Sequence, residues 1–153
     1  VSKLPGAIEK RRAVAEKIRG GLEGHAGINM GWQVADTEGV YWFMRIHIDE
    51  KKLTVGKAEF CKALAAEGIP VNPEYRHIPA EAIWHKERQT FGQSGFPWSA
   101  DDYQGTGTAV FELPNAIKAA QEHFNIHFHE RYGEREADDI LAALCKVETA
   151  FLK

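Results

Sequence analysis

The chain has 153 residues, 44% of them apolar, 27% charged and 10% aromatic, with 19 Lys and Arg against 22 Asp and Glu for a net charge of −3. This is the make-up of an ordinary globular domain and excludes a disordered chain, while the slightly acidic balance gives no support to a nucleic-acid-binding surface. The longest apolar runs, such as Val40-Tyr41-Trp42-Phe43-Met44, are too short to span a bilayer, and the N-terminus lacks the apolar stretch of a signal peptide.

A long basic helix is expected first, from near Leu4-Pro5, with proline at an early position where its missing N–H costs nothing. Ile8, Ala15, Ile18 and Leu22 recur at helical spacing, and Gly20-Gly21 and Gly24 loosen the end. So narrow an apolar stripe suits a helix that packs along another element or bridges two bodies. Val40 to Ile48 is the best strand, placing Phe43, Arg45 and His47 on one face and Met44, Ile46 and Ile48 on the other. A helix from Val55 to Glu67, with Phe60, Cys61, Leu64 and Ala65 inward, stops at Gly68. Ile69 to His77 is extended and, with two prolines, fits only a sheet edge.

Residues 80–88 form a short helix carrying Ile83 and Trp84, and residues 89–107, rich in Gly, Ser, Pro and aromatics, read as a functional or binding loop. A helix follows Pro114 to about His123, then a short strand over Asn125 to His129. The last helix starts near Glu134, its early acids favoured by the helix dipole, and buries Ile140, Leu144, Val147 and Phe151. Strands mixed with amphipathic helices give an α+β class: a three- or four-stranded, mostly antiparallel sheet with helices against one face.

Several groups could carry chemistry. His123, His127 and His129 could supply three zinc ligands, but helical spacing unites the first pair and strand alternation the second, so pocket or surface imidazoles are the alternative. Gly92-Gln93-Ser94-Gly95 and Gly105-Thr106-Gly107-Thr108 could cradle a phosphate or be plain loop; neither fits a nucleotide fingerprint. A Cys or Ser paired with a histidine is conceivable, yet no Gly-x-Ser-x-Gly elbow exists, and Cys61 and Cys145 lie on helix faces as expected of buried free thiols. Two such thiols make no disulfide framework and point to a reducing compartment, the cytoplasm. Tyr75-Arg76-His77 joins an aromatic, a permanent cation and an imidazole on a proline-stiffened segment. The guanidinium there can hold a phosphate or carboxylate in bidentate fashion, although a polar edge strand facing water accounts for the same residues.

Taken in order, these landmarks resemble the C-terminal small domain of DegT-type, fold-type-I, pyridoxal-phosphate-dependent aminotransferases that act on keto-sugar nucleotides and cyclitols. The matching pieces are the basic helix Ile8 to Glu16, the strand opened by Val40-Tyr41-Trp42-Phe43, and Leu64-Ala65-Ala66-Glu67-Gly68-Ile69-Pro70 with Tyr75-Arg76 after it. Leu113-Pro114-Asn115-Ala116 and the closing helix Asp139 to Val147 complete them, so the resemblance covers nearly the whole chain. The chain departs from the family's leucine-proline before the last helix, having Asn125 to Glu130 there.

The resemblance implies a linker helix over residues 1–24 and the small domain over 25–153. It implies that the coenzyme-binding lysine and most phosphate contacts lie in a large domain absent here. None of Ser2, Ser94 and Ser99 has a lysine three residues on, so the family's Ser-x-x-Lys is missing and the chain alone is expected to be catalytically inert. By analogy Tyr75, Arg76 and His77 are the substrate-facing candidates for a sugar nucleotide or cyclitol, and Phe96-Pro97-Trp98 is a candidate flap. Pyridoxal phosphate is expected only in the parent enzyme, a homodimer. The alternative is a stand-alone ligand-binding or regulatory α+β module using the Gly and aromatic loop as its pocket.

Overall fold

The computed structural model describes residues 2–75, 82–105 and 111–153. In chain order the elements are α1 (Leu4–Gly21), β1 (Ile28–Asn29), β2 (Phe43–Ile48), α2 (Lys57–Ala66), β3 (Val71–Asn72), α3 (Ile83–Lys86), α4 (Pro114–Gln121), β4 (His123–His127) and α5 (Glu134–Phe151). They fall into two compact units, Val1–Tyr75 with Gln121–Lys153, and Arg76–Ala120.

The first unit holds a four-stranded sheet in the order β1-β2-β4-β3 with every neighbouring pair antiparallel, the α+β architecture expected from the sequence. β2 is the long central strand because its alternation matches the pleat: Met44, Ile46 and Ile48 are at most 1% exposed, while Arg45 is exposed and Phe43 and His47 are half-buried. Phe124 and Ile126 of β4 join the same apolar face. Against it pack Val14, Ala15 and Ile18 of α1, Phe60, Cys61 and Leu64 of α2, and Ala137, Ile140, Ala143, Leu144 and Val147 of α5. The three helices therefore share one side of the sheet. The basic helix α1 lies along α5, linked by the Lys17–Asp138 ion pair at 2.7 Å.

Two strand starts and one helix face differ from expectation. β2 starts at Phe43 rather than Val40, because Tyr41 has a φ of 43°, which no strand accommodates. β4 starts at His123, where the ladder pairs His47 with His123 through to Phe43 with His127 and so draws the strand back two residues from Asn125. Ala65 faces out of α2 because it sits one residue, about 100°, past the buried Leu64. Gly68 ends that helix at φ 86°, a left-handed position where glycine carries no Cβ penalty.

Glu148 is the acid that the core admits. It is 1% exposed, its Oε1 accepts the Gly27 N–H at 2.6 Å, and its Oε2 is paired with His25 Nδ1. A buried carboxylate needs partners of this kind, and these fasten α5 to the turn that opens β1. On the other side of α1, Arg11 donates to the carbonyls of Tyr41 and Trp42 at 3.0 and 3.2 Å, and Arg12 donates to that of Gly39 at 2.8 Å. The basic residues of the helix thus set the angle at which the chain enters β2.

In the second unit, α3 is followed by residues 87–105, which carry no helix or strand, and α4 begins at Pro114. His85 packs edge-on against Phe111 at 4.5 Å and stands 6.1 Å from Trp98. Among the described residues, no helix is long and apolar enough to cross a membrane.

Candidate functional site

The sheet face turned away from the helices is built from β-strand register. Asn29, His47 and His123 form one cross-strand row, Arg45, Asn125 and Asn72 a second, and Phe43 with His127 a third. Each polar residue is placed there by the same two-residue period that sends Met44, Ile46 and Phe124 into the core. The rows are knitted by side chains: Asn29 Nδ2 lies 3.4 Å from His47 Nδ1, the His47 and His123 rings are 5.1 Å apart, and Arg45 Nε donates to Asn125 Oδ1 at 3.4 Å. Asn125 is 2% exposed although polar, so its carbonyl depends on that arginine.

Arg45 is the focus of this face. Its guanidinium carbon stands 4.9 Å from the centroid of Tyr75 and 5.6 Å from that of Phe43, and the two rings are 5.8 Å apart. Stacking a guanidinium on aromatic faces holds its planar fork in place at little entropic cost. Among the described residues no carboxylate lies within ion-pair distance of it. The result is an exposed cation set against two neighbouring rings, the chemistry that receives a phosphate or carboxylate in bidentate fashion.

Of the residues singled out in the sequence, Tyr75 belongs to this group and is 51% exposed. Arg76 and His77 lie outside the described residues, as do Thr106, Gly107 and Thr108. Trp84 is 48% exposed on α3. Phe96-Pro97-Trp98 sits in the irregular segment of the second unit, where Phe96 is 50% exposed. Around Gly92 to Gly95 the backbone donors are used internally: the Phe96 N–H goes to Ser94 Oγ at 3.3 Å and the Ser99 N–H to the Gly95 carbonyl at 3.1 Å.

The three neighbouring histidines do not meet. His123 and His127 occupy the two ends of β4, about 13 Å apart at strand rise. His129 lies beyond the strand, accepting the Arg131 N–H at 3.1 Å and packing on Tyr132. Among the described residues no three His, Cys, Asp or Glu side chains are placed to share a metal ion. The two cysteines also differ from each other. Cys61 is 2% exposed and burial pushes its thiol up to about 12, whereas Cys145 is only half-buried.

Sequence reasoning put Arg45 on the polar face but missed its role; the usable signal was Phe43-x-Arg45, two residues that one strand face brings together. Glu148 was missed altogether, although it stands eight residues after Ile140 and so on the same buried stripe.

No family model matches the chain, and neither does any curated protein. Solved structures do match. The aminotransferase TlmJ from Streptoalloteichus hindustanus superposes with a TM-score of 0.66 at 19% identity, covering 97% of this chain and 34% of that one. PseC of Helicobacter pylori, an aminotransferase involved in the biosynthesis of pseudoaminic acid, gives 0.72 at 13% identity, covering 98% and 35%. Spr1654 of Streptococcus pneumoniae in its PLP form gives 0.68 at 16% identity, covering 99% and 34%. The chain thus has the fold that these proteins carry over about a third of their length, as the sequence resemblance implied.

Pyridoxal phosphate requires a shielded lysine, an acid for its ring nitrogen and a cradle for its phosphate. Of the described lysines, the ammonium groups of Lys17, Lys62 and Lys146 are engaged by carboxylates of Asp138, Glu59 and Glu67, and Lys153 donates to the carbonyls of Glu50 and Lys51.

Proposed function

We propose that this chain is the C-terminal small domain of a pyridoxal-phosphate-dependent aminotransferase acting on a keto-sugar nucleotide or a cyclitol, and that it forms the substrate side of the active site. The observation that carries this reading is the fold: nearly the whole chain superposes on about a third of aminotransferase chains. In this reading residues 1–24 are the linker helix and 25–153 the small domain, and the parent is a cytoplasmic homodimer. The coenzyme and the lysine that holds it belong to the remainder of the polypeptide.

The work of this chain is recognition. Arg45, packed beside Phe43 and Tyr75, engages the diphosphate of a nucleotide sugar, and the Asn29–His47–His123 row offers donors and acceptors to ring hydroxyls. By the family resemblance Arg76 and His77 are further substrate-facing candidates, and Phe96-Pro97-Trp98 is a candidate flap. The test is the reading frame ahead of Val1. A continuous frame encoding a domain with Ser-x-x-Lys is the expected result; a start codon immediately upstream of Val1 would refute the proposal in favour of a stand-alone module.

A further inference from the structure

A different part of the first unit holds a nucleophile, a base and an acid in sequence. Cys145 and Glu148 are three residues apart on α5 and so share one helix face, and His25, from the turn after α1, stands between them. His25 Nδ1 is paired with Glu148 Oε2, and its Nε2 lies 3.6 Å from Cys145 Sγ. Glu148 Oε1 is held by the Gly27 N–H, so the carboxylate cannot swing away.

We propose that Cys145, His25 and Glu148 form a thiol site that undergoes exchange with a low-molecular-weight disulfide. The carboxylate accepts a hydrogen bond from Nδ1–H, the tautomer that leaves the Nε2 lone pair facing the thiol. Burial and the nearby Glu148 charge push the Cys145 thiol up, so the resting sulfur is protonated and reaction needs the base beside it. The His25 side chain is 25% exposed and Cys145 is half-buried, which leaves the pair reachable from solvent. A small disulfide suits such a site because exchange requires an accessible sulfur and a base but no binding pocket.

In the step, His25 Nε2 takes the Sγ proton and the thiolate attacks one sulfur of the disulfide. The new S–S bond forms as the old one breaks, and the electron pair leaves on the departing sulfur, which takes the proton from His25 as a free thiol. Cys145 is oxidised to a mixed disulfide and the departing half is reduced, so no other oxidant is involved.

The experiment incubates the folded chain with oxidised glutathione and follows each cysteine by peptide mass spectrometry. Cys145 is expected to gain one glutathionyl group faster than the same cysteine in the urea-unfolded chain, with Cys61 unmodified in the fold. Glu148→Gln keeps an oxygen for Gly27 but presents an amide N–H to Nδ1, which moves the ring proton to Nε2. The Cys145 rate is then expected to fall about tenfold or more, as on removal of a positioned base, with the circular dichroism spectrum retained. Slower reaction at Cys145 in the folded chain than in the unfolded one would overturn the proposal. So would an unchanged rate in a folded Glu148→Gln protein.

Discussion

Replacing Glu148 by alanine removes the partner of a buried backbone donor. Gly27 is buried, and its N–H would lose the 2.6 Å bond to Oε1, at a cost of about 1–3 kcal/mol. The lost contact to His25 adds about 1 kcal/mol, toward the low side because that side chain is 25% exposed and recovers hydration. Together these come to about 2–4 kcal/mol, and relief of the carboxylate's own desolvation offsets part of it, so the expected loss is about 1–3 kcal/mol. Glutamine at the same position keeps the Gly27 bond and should cost about 1 kcal/mol. The assay is urea unfolding followed by far-ultraviolet circular dichroism, which reports chiefly on α1 and α5, each of 18 residues. At a slope of about 1–3 kcal/mol per molar urea, the alanine variant should move its midpoint down by about 0.5–1.5 M. A shift equal to that of the glutamine variant, or none, would show that the Gly27 bond does not hold the turn to α5.

Other expectations follow from the same packing. Phe60→Ala, at a site 0% exposed with its ring 5.9 Å from that of Phe124, should cost about 3–5 kcal/mol in the same urea assay. Gly27→Ala would place a Cβ 2.7 Å from the buried Leu53 side chain and 3.2 Å from Glu148 Oε1, and should cost about 1–3 kcal/mol, read as a lower unfolding midpoint. Glu136 accepts the Gly133 N–H at 2.7 Å, and this bond holds its carboxyl below the usual glutamate range. A carboxyl depressed in the fold stabilises above its unfolded pKa and loses that contribution as pH falls through the folded one. The melting temperature of Glu136→Gln should therefore decline less than that of the unaltered chain between neutral pH and about pH 3.

The fold was legible wherever period and burial agree. β2 announced its two faces through strict alternation, and α5 its stripe through Ile140, Leu144 and Val147. β1 was not legible, because two residues, Ile28 and Asn29, carry no period, and only pairing with His47 and Ile48 makes them a strand. The same limit hid the polar rows of the sheet: strand faces can be read along one segment, but which residue stands beside Arg45 is fixed by register with a strand 80 residues away. Tyr75 was found by its chemistry, as an aromatic on a proline-stiffened segment; that it lies over Arg45 is a tertiary fact. His25 gave no signal, since an isolated histidine in a glycine-rich turn says nothing of a carboxylate 123 residues on.

The recognition role proposed for this chain is tested most directly by steady-state amino transfer to a keto-sugar nucleotide, using the polypeptide that carries these 153 residues together with the upstream frame and whichever amino donor it accepts. Arg45→Ala is predicted to raise KM for the nucleotide sugar about tenfold to a hundredfold, the value of a charged hydrogen bond, while leaving KM for the amino donor near its unaltered value. Turnover in which Arg45→Ala leaves the nucleotide-sugar KM unchanged would contradict the account.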